Sequence, residues 1–513
     1  MAWNGPLVTL LGLALALVAG LLLVRLTPLG GVLFVVLAVG SVATVIEPLA
    51  GLAVVLFLGP LWAYLRAEVP QVPAQIAQVF VVLTLAVWLA RGLVRRDLRI
   101  AYPLGEHMGM PKGAHVGTPL LLPFSMFLGA AMLSLWDAVE LPVYGVPELI
   151  KWVQIFLLFL FVSQTLTLRR LPWLLGALLV TGLFQAGVGM WQFGLRGDGP
   201  DHFAILGGDF YRAYGTFEQP NPYAGYLGLV LPLALGPLAV IVRGKLANWY
   251  VGKLGQRHPT HQSTNLPIYQ STNLPTCQLL LIGAAALAML AALAMSWSRG
   301  AWIGFGAAAL AMAVALPRKA GWGLLLVAVL VAGGVGLYAT GLLPPSIVAR
   351  LTDFAQYVRF EDARGVGIND ANYAVIERMA HWQAALEMLR YNLWTGVGFG
   401  CYEPAYSQFA LINWPIALGH AHNYYLNVAA ETGLVGLAAY LFLWGAVFWQ
   451  TWQATRRAKG LLRGVAIGLL GTWTHLSVHH LFDNLYVNNV HLHIGVLLGL
   501  LAFVIQQTNQ PTN

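Results

Sequence analysis

Apolar runs of membrane-crossing length alternate with short polar breaks along almost the entire chain. Measured against the roughly 30 Å of hydrocarbon that a helix must cross, the runs fall at 6–26, 29–46, 48–65, 76–91, 119–137, 148–166, 171–192, 222–242, 278–296, 301–316, 322–343, 433–451, 462–481 and 490–507. The pattern predicts an all-α polytopic integral membrane protein of about 12–14 transmembrane helices. The run at 6–26 lacks the polar-then-small-residue pattern of a cleaved secretory signal, and another run follows it closely. It is expected to remain as a helix.

Polar stretches divide the chain further. Residues 1–118 hold N-terminal helices and a basic cytoplasmic loop, and 119–343 a core of helices. That core includes an external motif at 211–222, a cytoplasmic insertion at 243–277 and the turn Ser298-Arg299-Gly300. Residues 344–422 form a long external loop between the last-but-three and last-but-two spans, and 423–513 the C-terminal helices. A connection as long as 344–422 is expected to carry function or to fold into a small lid. Within it, Tyr373 to Arg390 fits an amphipathic helix along the membrane interface, with Ile376, Met379, Ala380, Trp382, Ala385, Leu386 and Leu389 as its apolar positions. A flexible turn at Gly396–Gly400 ends it. Residues 262–269 and 270–275 are near-copies rich in polar and turn residues, read as a disordered insertion.

Of the 513 residues, 58% are hydrophobic and 9% charged, with mean hydropathy +0.70, which excludes a water-soluble globular domain. The formal charge of +8 is gathered in short clusters. Arg91, Arg95, Arg96 and Arg99 follow the fourth run, Arg169 and Arg170 the sixth, and Arg243, Lys245, Lys253 and Arg257 the eighth. Arg318 and Lys319 follow the tenth, and Arg456, Arg457, Lys459 and Arg463 the twelfth. All come after even-numbered crossings, so the positive-inside rule puts these clusters and both termini in the cytoplasm. The charge is thus a topology signal, and membrane lipids, not nucleic acid, are the expected surroundings. Cys277 and Cys401 fall on opposite sides and are expected to be free thiols.

Three polar clusters remain for the external face: Tyr211–Pro222, Ser298–Gly300, and the His420–Asn423 junction that leads into an apolar helix. An arginine at a membrane surface is ordinarily a snorkelling anchor. Arg299, however, sits between two apolar runs on the side away from the basic clusters, and a charge at the hydrocarbon centre costs about 2.5–3.5 kcal/mol on insertion scales, so a partner is expected. Arg212 and Arg299 suit a diphosphate carried on a lipid, because guanidinium groups bind phosphate oxygens bidentately and keep their charge. His422 beside Asn423 fits either an interfacial helix cap or a neutral base that takes a proton from a sugar hydroxyl. Such parts compose a glycosyl transfer that needs no cofactor and no metal. There is no Gly-rich phosphate loop, metal-spaced His/Cys set or nucleophile elbow.

The string Arg212-x-x-Gly215-Thr216-Phe217-x-x-Pro220-Asn221-x-x-Ala224-x-Tyr226-Leu227 is followed in order by Ser298-Arg299-Gly300-Ala301. Arg378-x-x-x-Trp382 with Gly396-x-Gly398 comes next, then His422-Asn423-x-x-Leu426 with Glu431-x-Gly433-x-x-Gly436. This ordered set resembles the O-antigen ligase and polymerase superfamily over residues 120–507. The resemblance implies a GT-C-like, all-helical glycosyltransferase in a bacterial inner (plasma) membrane. It would move a glycan from an undecaprenyl-diphosphate carrier to a hydroxyl of a glycan, lipid or protein acceptor at the outer face. Carried onto matching positions, it implies Arg212 and Arg299 on the diphosphate and His422 as the catalytic base. Arg378 would orient donor or acceptor, with Asn221, Asn423, Glu431 and His420 in support.

The segment His479–Tyr486 resembles a branch of that superfamily assigned to bicarbonate transport. Transport of a small anion, or lipid-glycan binding without transfer, therefore stands as the alternative, although no internal repeat of the transporter kind joins the two halves. His475, His479, Asp483, His491 and His493 could form a metal or proton site, or simply pack between spans. Glu148 and Lys151, three apart, are expected to pair.

Overall fold

The computed structural model describes residues 28–70, 72–96, 119–257, 275–352, 362–369 and 372–509. The first expected span, 6–26, and the tandem repeat as far as residue 274 lie outside them. The chain is almost entirely helical. Its first half comprises α1 (Pro28–Ile46), α2 (Pro48–Leu58), α3 (Trp62–Glu68), α4 (Ile76–Arg95), α5 (Leu121–Ser134), α6 (Val146–Thr165), α7 (Leu171–Gly194) and α8 (Pro220–Arg257). The second comprises α9 (Thr276–Met295), α10 (Arg299–Ala315), α11 (Ala320–Ala339), α12 (Pro345–Thr352), α13 (Tyr373–Tyr391), α14 (Tyr402–Phe409), α15 (Tyr424–Arg457), α16 (Gly460–His479) and α17 (Val490–Asn509). A two-residue hairpin, β1 (Ala204–Ile205) with β2 (Phe210–Tyr211), precedes α8.

Among the described residues, ten helical stretches are long and apolar enough to cross a membrane, and three shorter apolar helices stand at 34–46, 121–137 and 299–315. Together they match the thirteen expected spans that follow 6–26. The chain is a multi-pass membrane protein. At the centre, α17 is buried over nearly its whole length, and α16 packs against α8 through small residues. A Cβ on Gly236 would lie 2.3 Å from the Gly464 carbonyl oxygen, and one on Gly464 2.5 Å from Pro237 Cα, so this close crossing depends on glycine.

The basic clusters gather at one end of the bundle and there hold carbonyls at helix ends. Arg463 donates to Ala315 and Leu316, Arg456 to Pro317, Arg243 to Leu316, and Arg91 to Ile46. Arg170 pairs with Glu47 at 2.6 Å. Both cysteines are free, and Glu148 pairs with Lys151.

At the opposite end the long loop folds into a lid with cores of its own. Ala384, Ala385 and Met388 of α13 pack with Tyr402 and Tyr406 of α14 and with Ala430 of α15. Val375, Ile376, Met379 and Ala380 pack with Ala363 and Trp414. The expected amphipathic helix is therefore present. Ile376, Met379, Ala380 and Ala385 are buried as expected, joined by Val375, His381, Ala384 and Met388, while Leu386 is exposed. The reason is that α13 packs against α14 and α15, so its inward stripe is set by the lid.

One boundary departs further from expectation. The span expected at 433–451 begins at Tyr424 and is broken at Gly433, whose φ of 62° and ψ of −166° are open only to glycine. The break leaves backbone groups that residues 393–398 satisfy. Leu434 and Val435 donate to the Leu393 and Trp394 carbonyls, while Val397 and Gly398 donate to those of Ala430 and Glu431. A Cβ on Gly433 would lie 2.3 Å from Trp394 C. Gly433→Ala is expected to cost about 2–3 kcal/mol of stability, combining a forbidden φ with that clash. Thermal unfolding of the detergent-purified protein measures it, and an unchanged midpoint would show that the clasp is dispensable.

Candidate active site

The three polar clusters meet at the lid end. Arg212 follows β2, and its backbone N–H donates to Phe203 O at 2.9 Å, while that of Ala213 donates to Met295 O at 3.0 Å. This pins the strand end to the foot of α9. The Arg212 side chain donates through Nε to Ser296 O at 3.0 Å and through Nη2 to Asn221 Oδ1 at 3.3 Å. Ser298 Oγ donates to the same Asn221 oxygen at 2.9 Å. Asn221, in the first turn of α8, thus ties the first motif to the second. Trp297, in the turn before α10, has a φ of 55°, and its carbonyl accepts from Arg350 Nε and Nη2 at 3.3 and 3.1 Å.

A cavity of about 220 Å³ opens there, lined by Arg212, Arg299, Arg350, Arg378, Trp382 and Asp483 among others. Four guanidinium groups from four separate elements share it. Burial, then the charges of Arg350, Arg378 and Arg299, push Arg212 down to about 9, the direction expected of a cation among like charges. Arg378 Nε is buried without a hydrogen-bond partner. The cavity is built for an anion with several oxygens.

Asp483, between α16 and α17, forms its far wall. Its Oδ1 lies 3.4 Å from His420 Nε2 and 3.9 Å from His422 Nδ1. Burial opposes the carboxylate, yet the surrounding imidazoles of His422, His420 and His479 hold its carboxyl well below the usual range. The His422 ring stands 4.5 Å from that of His420 and 5.6 Å from that of His381, centroid to centroid. His422 does not line the arginine cavity; it lies behind Asp483.

The two histidines of the junction differ in what their nitrogens do. His420 Nδ1 accepts the backbone N–H of His422 at 3.0 Å, which leaves Nε2 as the protonated nitrogen facing Asp483. Burial, with His422 alongside, pushes His420 down to about 3, so it is neutral and both its nitrogens are engaged. Neither ring nitrogen of His422 has a hydrogen-bond partner. The cap is not His422 but Asn423, whose Oδ1 accepts from Tyr425 N at 3.0 Å and Leu426 N at 3.1 Å. His422 itself sits at φ 53°, in the sparsely populated left-handed region. It is held there by the N–H bond to His420, by the Asn423 cap, and by Ala421 N donating to Asn427 Oδ1 at 3.0 Å. Glu431 lies away from the arginines, its Oε1 accepting from Tyr402 N at 3.2 Å.

The structure therefore brings Arg212, Arg299, Arg378 and Asn221 to one cavity, with His420 and His422 behind its wall, and assigns Asn423 and Glu431 to holding the junction. It adds Arg350 and His381, and gives Asp483 His420 and His422 as neighbours. His381 was detectable at i+3 from Arg378 on the same helix; Arg350 carried no spacing signal. Of the five residues grouped as a metal or proton site, Asp483 and His479 belong here, both lining the arginine cavity. His475 Nε2 instead pairs with Gly225 O at 3.1 Å, His491 with Gln154, and His493 with Tyr226. Donor atoms of His420, His422 and Asp483 do lie within 4.8 Å of one another, close enough to hold a metal ion.

Residues 284–441 match the family model described as O-antigen ligase. Over those residues the chain is similar to the O-antigen ligase family. Members of that family are glycosyltransferase-like enzymes that work on lipid-linked glycans in the membrane. The matched region spans Arg299, Arg350, Arg378 and His422; Arg212 and Asp483 lie outside it, on α8 and α17 approaches that fold against it. A search of curated sequences found no match.

Proposed function

We propose that this O-antigen ligase-like protein transfers a glycan from a polyprenyl diphosphate of the undecaprenyl type to an acceptor hydroxyl. The reaction takes place at the outer face of a bacterial inner (plasma) membrane, with both termini in the cytoplasm. The orientation rests on the basic clusters, which lie at the end of the bundle opposite the site. The observation that carries the reading is the convergence of Arg212, Arg299, Arg350 and Arg378 on one cavity walled by Asp483, with His422 directly behind.

In the proposed reaction the arginines bind the diphosphate and stabilise the negative charge that builds on it as it leaves. The acceptor hydroxyl gives its proton to His422, its oxygen bonds to the anomeric carbon, and the carbon–oxygen bond to the diphosphate breaks with its electron pair. Asp483 faces Nδ1 of His422, so the ring holds its proton there and presents Nε2 as the base. It also stabilises the imidazolium that forms. The 3.9 Å separation is of the kind that tightens once substrates are bound.

The test is transfer by the purified, liposome-reconstituted protein from a polyprenyl-diphosphate oligosaccharide, with and without EDTA. Transfer is expected at the same rate in both, because proton acceptance by His422 needs no metal. Activity lost to EDTA and restored by a divalent cation would hand His420, His422 and Asp483 to a metal instead. Uptake of labelled bicarbonate without any donor turnover would favour transport.

A further inference from the structure

A second cavity, of about 380 Å³, opens on the other side of the histidines. Its volume falls within the 300–1,000 Å³ or so usual for ligand pockets. Asp483 is the one residue, among those described, that lines both cavities. Resting on the glycosyl-transfer reading above, we infer that this second cavity is the acceptor subsite, and that it takes a neutral saccharide.

The argument is chemical. Gln219 contributes an amide with both a donor and an acceptor, while Asn484, whose oxygen accepts from Tyr486 N, and Asn488, whose Nδ2 donates to Phe217 O, leave a donor and an acceptor respectively, the pairing a sugar hydroxyl needs. No arginine lines the cavity, and its one lysine, Lys151, is paired with Glu148. It offers a diphosphate none of the four guanidinium groups that the first cavity gathers. The two cavities thus sort the substrates by charge. Their position matters as much. His420 lines the second cavity and His422 lies against both His420 and Asp483. A hydroxyl bound there lies beside His420, the imidazole that adjoins the base, and shares Asp483 with the diphosphate cavity.

Two variants test the assignment. Gln219 is exposed on the cavity wall, and Gln219→Ala removes one amide without touching the arginines or histidines. Val487→Trp fills the space with an indole. The assay uses the full chain in liposomes, a polyprenyl-diphosphate oligosaccharide as donor and an oligosaccharide mixture released from the cell envelope as acceptor. The acceptor KM is expected to rise about fivefold for Gln219→Ala, the worth of a single neutral hydrogen bond, and at least as much for Val487→Trp, with the donor KM unmoved. A rise in donor KM instead, or an acceptor KM that neither variant moves, overturns the assignment. Gln219→Ala alone remains decisive should the tryptophan variant not fold. A parent protein that transfers nothing overturns the transfer reading itself, which separates the two failures.

Discussion

Replacing His422 by alanine is expected to lower the turnover number by about 10²–10⁴, the contribution typical of a positioned general base, with little change in donor KM. The size of the loss follows from the lack of a substitute. His420 is the nearest imidazole, but its Nδ1 is taken by the His422 N–H, its Nε2 faces Asp483, and burial drives it down to about 3. A group that weakly basic cannot take over the proton. His381 is likewise pushed down by burial, and its Nδ1 contacts the Glu377 carbonyl at 2.8 Å. The alanine variant keeps the φ of 53° that the capped junction imposes, so it bears the same backbone strain without the ring. His422→Asn is the companion, because asparagine accepts left-handed geometry more readily. Both should elute as folded protein and retain donor binding. Full transfer activity in either one would remove His422 from the chemistry.

Much of the architecture was legible because a bilayer leaves a helix few alternatives. Apolar length located every expected span within the described residues, and charge spacing foresaw that the basic clusters would share one end. The candidate site was legible where a motif carried both residue type and order, as with Arg212, Arg299, Arg378 and His422. What escaped is of another kind. Asp483 was grouped by its local spacing with the histidines of its own region, whereas the partners it faces, His420 and His422, stand some sixty positions earlier. Arg350 depends in the same way on the Trp297 carbonyl. The expected span starts at the Gly433 break; what was hidden is the helix before it, from Tyr424, and the clasp of residues 393–398 that makes the interruption tolerable. Asn423 was visible as a neighbour of the histidine, whereas its role as the helix cap required the backbone geometry.

Arg212→Ala and Arg299→Ala should each lower kcat/KM for the lipid-diphosphate donor by about 10²; a charge-assisted hydrogen bond contributes roughly 1.5–3 kcal/mol. Arg212 carries the more informative version of this test. Its guanidinium also binds Ser296 O and Asn221 Oδ1, so the alanine variant loosens the link between the first two motifs as well as removing a charge. Arg212→Lys separates these effects: it keeps a cation in the cavity but loses the planar fork that can hold the turn and a phosphate together. If the fork matters, lysine should recover only a small part of the loss. If charge alone matters, it should recover most of it. Four like charges in one cavity repel one another until an anion arrives, so inorganic pyrophosphate should compete with the donor, and less well once either arginine is gone. Competition should also weaken as salt rises, since screening reduces both the repulsion and the attraction. Were these substitutions to raise only the acceptor KM, leaving pyrophosphate competition intact, the cavity would not be the diphosphate site. The two cavities would then have to exchange their roles, with the leaving group placed in a cavity that no arginine lines.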